Sequence, residues 1–504
     1  MSDAAHPEPT PDAGAGDAPS AATKAGNGTP GNGKQGNGTP GNGKPAAAHG
    51  AATPPAEPAD DLVTTRHTFV GDHGSFDYTA TIGRVVLRED VVTDGVYDGR
   101  KPKAEVSITA YVREHAQPRT RPVVFAFNGG PGSSSVWLHL GLLGPRLAVS
   151  GDAGRPAGPP FALRDNHQSL LAVADLVFID PVSTGWSRTT TGGAPKDFHG
   201  FTPDIASVGE VIRAWVTANG RWLSPKLLLG ESYGTTRASA LAEHLQRVHA
   251  MYLNGVALIS SVLDLGSVEQ DFRNDRAYPL FLPTYAATAH FHGKHPDRTL
   301  AEVVAEAEAY AERDYPWALA RGNRLTATER AEHVATLARL TGLSPAYVDR
   351  ANLRVEHIRF FTELLRDQGL ATGRIDTRFT GPLGDGNAAT FDADPFMDAV
   401  TGAYAAAFNH YVRDELGYTT ELPYRTMAPI YEEWSYKEFE ASRSTCPRPC
   451  PGRCGPTRTC RSTSATATTT APPRTSPRRT CSPTSTSPPS SPTTSSTATT
   501  RRGT

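Results

Sequence analysis

The chain has 504 residues, more than one ordinary core holds, so a large domain with an insertion, or two domains, is expected. Lys plus Arg (50) nearly balances Asp plus Glu (52), for a net charge of −2. No basic run or basic face stands out, which argues against a nucleic-acid-binding or membrane-surface protein. No stretch reaches the apolar length needed to cross a bilayer. The start, Met1 to Glu8, has neither a basic cluster nor an apolar run, so no signal peptide is expected. All five cysteines lie at Cys446 or later, so no disulfide framework supports the first 440 residues. These features lead us to expect a cytoplasmic, bacterial-type protein.

Residues 1–60 are rich in Gly, Pro, Ala and Asn, and Gly26–Lys34 recurs word for word as Gly36–Lys44. Such a segment cannot bury enough apolar surface to offset its ordering entropy, so disorder is expected. From Asp61 the pattern changes. Phe76–Leu87 and Ala104–Arg113 alternate apolar and polar residues, as half-buried antiparallel strands do. Val123–Phe127 is a short apolar run feeding Asn128-Gly129-Gly130, and Leu176–Pro181, Lys226–Gly230 and Gly255–Ser260 repeat that form. Asp204–Ala218 and Thr236–Val248 have helical spacing. Buried strands alternating with helices indicate an α/β fold, with a mostly parallel central sheet covered on both faces.

From Leu263 to about Pro423 the strand signal fades. Leu300–Arg313, Ala327–Leu340 and Ser344–Gln368 are charged, Ala-rich and amphipathic, which predicts helices. The expected organisation is a disordered 1–60, a core over 61–262, a mainly helical cap over 263–425, a return toward the core over 426–440 and a disordered 441–504.

Three segments carry chemistry. Gly230-Glu231-Ser232-Tyr233-Gly234 fits the Gly-x-Ser-x-Gly nucleophile elbow, and it lies between an apolar strand and a helix, the setting that the pattern requires. Asn128-Gly129-Gly130-Pro131-Gly132 follows its own buried strand, and consecutive glycines leave N–H groups free to face a substrate oxyanion. Asp180-Pro181-Val182-Ser183-Thr184-Gly185-Trp186-Ser187 follows the next apolar strand. In order and separation these blocks resemble those of the serine carboxypeptidase family over residues 70–440, which implies the α/β-hydrolase fold. The resemblance implies Ser232 as the acyl-forming nucleophile and the N–H groups of Gly130 and Tyr233 as the oxyanion hole. It also implies that Asn128 and Glu231 bind the C-terminal carboxylate of a peptide. For Glu231 the alternative is an elbow residue satisfied by local backbone.

The chain departs from the family pattern. Leu142 stands where relatives place a second glutamate, which puts strict exopeptidase specificity in question. Thr235 replaces a usual glycine, and Ser133 stands where many secreted relatives carry cysteine. The family's triad Asp and His, expected toward the end of the chain, are both missing. Residues 441–504 consist only of Ala, Ser, Arg, Thr, Cys, Pro and Gly, so neither a core strand nor a helix is expected there. Every codon for those seven residues has G or C in its middle position, which is what a GC-rich gene yields when it is read one base late. Shifted back, Ala467–Arg474 becomes Gly-Tyr-Tyr-Asp-Gly-Ala-Thr-Pro followed by His, and Thr499–Thr504 becomes Tyr-Tyr-Glu-Ala-Gly-His-Met. Both strings resemble the family's Asp and His blocks. A frameshift between Glu440 and Cys446 is therefore expected, with the Asp codon straddling Thr469 and Thr470 and the His codon straddling Gly503 and Thr504.

No metal site is expected: Cys446, Cys450, Cys454 and Cys460 lack the paired spacing of zinc ligands. None of His290, His292, His295, His333 and His357, all in the cap, is assigned to catalysis. The expectation is a serine carboxypeptidase with no metal or organic cofactor, acting on peptides with a free C-terminus and nearly inactive as printed. Two alternatives are carried: an esterase or acyltransferase on the same fold, and a non-catalytic binding protein. Oligomeric state is not readable from the sequence.

Overall fold

The computed structural model describes residues 57–72, 74–271, 273–390, 393–439 and the strand 461–465. Three antiparallel strands lead: Asp61–Gly71 (β1), Gly74–Thr93 (β2) and Val96–Arg113 (β3). Asp94 and Gly95, at φ 52° and 79°, close the β2–β3 hairpin. Two positive φ values at a two-residue Asp-Gly loop match the right-handed twist of the paired strands. The parallel part follows: Val123–Phe127 (β4), Asp175–Ile179 (β5), Lys226–Glu231 (β6), Gly255–Ile259 (β7) and Arg461–Ala465 (β8). The sheet order is β1-β2-β3-β5-β4-β6-β7-β8, with the two-residue strand Arg188–Thr189 beside β3. From β5 to β8 all neighbours run parallel.

Helices Phe201–Ala218 (α1) and Tyr233–His249 (α2) cover one face. There Phe125, Val177, Ile179 and Leu228 meet Ile205, Ile212, Trp215, Leu241 and Leu245 in one buried cluster. On the other face Val124, Ala126, Phe178 and Leu229 share a cluster with Leu138, Leu140, Phe408 and Tyr411. Burial on both faces explains why β4 and β5 read as unbroken apolar runs.

The cap comprises Ala277–Phe291 (α3), Leu300–Glu312 (α4), Asp314–Arg321 (α5), Ala327–Thr341 (α6), Pro345–Arg350 (α7) and His357–Glu363 (α8). Thr299 with Glu302, and Thr326 with Glu329, form reciprocal capping boxes that start α4 and α6. These helices have their own core, including Tyr285, Leu319, Leu337 and Phe360.

The structure corrects four expectations. Ser344–Gln368 is not one helix, because Asn352 and Leu353 adopt φ 51° and 63° and break it between α7 and α8. Pro395–His410 (α9) lies inside the expected cap, yet it carries Ala407 and Phe408 into the sheet core. The ordered chain begins before Asp61: Pro58 O accepts from Arg88, and Asp60 Oδ1 accepts from the Val86 N–H. Finally, β8 lies in a segment where no strand was expected. Its ladder with β7, from Gly255↔Arg461 to Ile259↔Ala465, is made by backbone groups that every residue type except proline supplies. The disorder expected of residues 1–56, 441–460 and 466–504, and the cysteine cluster, lie outside the described residues.

Candidate active site

Ser232 sits between β6 and α2 with φ 56° and ψ −127°, a backbone that L residues rarely adopt. Its N–H donates to Ile259 O at 3.0 Å, which ties the turn to β7. The flanking glycines are required by close approach: a Cβ on Gly230 would lie 2.0 Å from Gly234 O, and one on Gly234 2.7 Å from Phe127 O. Thr235, which replaces the family's glycine, is fully buried. Its hydroxyl donates to Ser232 O at 2.7 Å and accepts from the Val262 N–H at 2.8 Å, so it pins the elbow to the loop after β7.

The glycine loop after β4 presses on the elbow. A Cβ on Gly129 would lie 2.4 Å from Tyr233 N, and Gly130 has φ 104°. The Gly129–Gly130 backbone and the Tyr233 N–H therefore converge beside Ser232. Asn128 Nδ2 donates to Glu231 Oε2 at 2.9 Å, while Asn128 Oδ1 accepts from the Leu138 N–H at 3.0 Å and fixes the amide's orientation. Burial pushes the Glu231 carboxyl above its ordinary range. Hydrogen bonds from Asn128 and the Gly129 N–H, and the cap guanidinium of Arg374, pull the other way. No second carboxylate is bonded to Glu231 among the described residues. Leu142 is half exposed in the turn His139–Leu143, with its carbonyl bound to Asn166 Nδ2.

Two supporting networks escaped the sequence reading. Arg237, on α2, is buried; its Nε donates to Asp204 Oδ2 on α1 at 2.8 Å and its Nη1 to Asn128 O at 2.7 Å. Asp180 is buried and accepts from Ser135 N, Ser135 Oγ and Ser107 Oγ at 2.8, 2.7 and 3.1 Å. Burial pushes its carboxyl pKa up against those donors. The block beginning at Asp180 therefore braces the glycine loop.

The five cap histidines are occupied within the cap: His290 with Arg298 O, His292 with Thr377 O, His295 with Leu340 O, His333 with Tyr310 and His357 with Gln270. No imidazole hydrogen-bonds Ser232 among the described residues. Nor does any group of three or more His, Cys, Asp or Glu among them have the arrangement to hold a metal. No helix among them is long and apolar enough to cross a membrane.

A strained serine between a parallel strand and a helix, below a glycine loop, defines an α/β-hydrolase. Within that class, residues 110–286 match the family model described as serine carboxypeptidase. It is similar to serine carboxypeptidase-like 16 of Arabidopsis thaliana, at 27% identity over 164 residues, which cover 31% of this chain and 36% of that one. Serine carboxypeptidase-like 8 of the same plant is 25% identical over 183 residues, 34% of this chain and 40% of that one. The chain thus spans 36–40% of the length of these curated relatives. Among solved structures, it is similar to the prohormone-processing carboxypeptidase Kex1(Δ)p of Saccharomyces cerevisiae. The identity is 18% and the TM-score 0.33, covering 47% of this chain and 48% of that one.

Proposed function

We propose that this chain derives from a carboxypeptidase that hydrolyses the C-terminal peptide bond through an acyl-enzyme on Ser232. The observation that carries the reading is the strained Ser232 elbow with the Gly129–Gly130 backbone against Tyr233 N. Ser232 Oγ attacks the scissile carbonyl, and the Gly130 and Tyr233 N–H groups receive the oxyanion. Asn128 and the half-buried Glu231 carboxyl bind the substrate's terminal carboxylate, Glu231 donating to it when it carries a proton. A cytoplasmic setting fits a chain whose first 445 residues contain no cysteine.

The printed chain lacks the imidazole base and its orienting carboxylate, so its rate falls by several orders of magnitude. The cause we propose is the frameshift, in whose restored frame β8 would lead an Asp toward the site. That strand runs parallel to β7, so its carboxyl end points to the sheet edge where Ser232 stands, and the restored Asp codon follows a few residues after Ala465. Resequencing the DNA for residues 440–446 tests this. An uninterrupted frame that matches the printed tail sinks the frameshift. The repaired chain is expected to release C-terminal residues from free peptides and to leave C-terminally amidated ones. Equal action on both favours the esterase or acyltransferase reading, to which Leu142 and the absence of a carboxylate partner for Glu231 among the described residues lend weight.

A further inference from the structure

The turn after β5 contains a second serine in a backbone conformation that L residues avoid: Ser183 has φ 78°. Its Oγ is 2.9 Å from His199 Nε2, and both residues are buried, at 7% and 4% exposure. On its other edge His199 Nδ1 has no hydrogen-bond partner and lies 3.4 Å from Glu433 Oε2, whose side chain is exposed. Trp434 stacks on the imidazole at 6.3 Å and meets the Tyr233 ring at 5.5 Å, so the ring is held in place beside the elbow. A proton on Nδ1 facing Glu433 leaves the Nε2 lone pair to accept from the Ser183 hydroxyl, the tautomer a general base needs. Among the described residues the Val182 and Ser183 N–H groups have no acceptor, which leaves them available to an oxyanion.

We propose that Ser183, His199 and Glu433 form a second nucleophile relay, distinct from Ser232, that takes compact, uncharged carboxylate esters. Ser183 Oγ attacks the acyl carbon and its proton passes to His199 Nε2. The ester C–O bond breaks, and the alkoxide leaves with that proton. Water, deprotonated by His199, then releases the acid and restores the serine. Glu433 is the positioning residue. Burial of Ser183, at 7% exposure, limits the acyl group's size, and the exposed Glu433 carboxylate beside His199 disfavours anionic esters. The relay does not depend on the triad partners that Ser232 lacks.

The unaltered chain, treated with diisopropyl fluorophosphate, tests this. Serine Oγ bonds phosphorus, fluoride leaves and the proton goes to the base. Trypsin places Ser183 in residues 165–188 and Ser232 in residues 227–237, so fragment mass spectra read the two serines separately. We expect an adduct on Ser183. It should form ~10²–10⁴-fold more slowly in His199→Gln, as loss of a general base predicts, and be absent in Ser183→Gly, whose glycine suits φ 78° and preserves the fold. Glu433→Gln should slow labelling and Glu433→Asp should restore part of it. Absence of an adduct on Ser183, or an adduct formed equally fast in His199→Gln, overturns the proposal, whatever happens at Ser232.

Discussion

Arg237→Ala is the substitution whose effect follows most directly from the structure. Arg237 is 1% exposed and its guanidinium holds Asp204 and Asn128 O at once, with the Phe127 and Tyr233 rings 5.4 and 5.3 Å from its Cζ. Truncation leaves Asp204 buried and unpaired, which costs about 3–5 kcal/mol when one partner of a buried pair is removed. With an m-value near ~3 kcal/mol/M, the urea midpoint falls by roughly 1–2 M. The pH dependence has a definite sign. Burial already raises the Asp204 carboxyl above its ordinary value, and Arg237 is the largest influence pulling it down. Without Arg237 the folded-state pKa rises further, so the folded protein binds more protons than the unfolded chain over a wider range. Stability contributed by the protonated form is then lost as pH rises through the folded pKa. The penalty of Arg237→Ala is therefore larger at pH 8 than at pH 5. The double variant Arg237→Leu/Asp204→Leu should recover most of the loss, because no charge is left unpaired. Urea melts at both pH values measure all of this. A penalty under ~0.5 kcal/mol, or one that grows on acidification, refutes the assignment of this pair as the elbow's buried brace.

Three other perturbations have clear signs. Thr235→Ala orphans the Val262 N–H and should cost about 1–3 kcal/mol in a denaturant melt, while Thr235→Ser stays close to the parent. Gly185→Ala places a methyl 2.0 Å from Asp180 Oδ2 at φ 48°, so it should destabilise by about 1–3 kcal/mol and loosen the glycine loop that Asp180 holds; an unchanged melting temperature would contradict this. Glu231→Gln removes a carboxyl whose folded pKa is raised. The ionised form's cost is present above that pKa and vanishes below it, so the variant should be the more stable protein at pH 8, with an advantage that fades on acidification. In the repaired chain the same variant should raise KM for free-carboxylate peptides.

Much of the fold was readable because the parallel strands bury both faces and so print as short apolar runs. Val123–Phe127 matches to the residue, and Lys226–Gly230 falls one residue short of β6. The elbow was readable because its glycines answer to close approaches that no Cβ tolerates. The break within Ser344–Gln368 was not, since Asn352 and Leu353 carry no turn signature strong enough to override the helical spacing around them. The Arg237–Asp204 brace was invisible for a different reason. A salt bridge between α1 and α2 has no period, and only the packing of both helices onto one sheet face brings its members together.

The tail shows where composition and pairing part company. Residues 441–504 offer no large apolar side chain, and from that a strand was ruled out. Yet β7 would otherwise present an unpaired row of N–H and C=O groups, and Arg461–Ala465 fills that row with five Cα partners in register. Edge pairing asks only for extended backbone without proline, and Arg-Ser-Thr-Ser-Ala satisfies that whatever its reading frame. Such a strand contributes ladder hydrogen bonds. Supplying the carboxylate that orients a catalytic histidine is a separate requirement, and it depends on the side chains that the frame decides. The extension of the sheet to β8 therefore carries no information on whether an aspartate and a histidine stand beside Ser232. For that reason the proposed frameshift is tested by labelling of Ser232 before and after repair of the frame, and not by stability measurements.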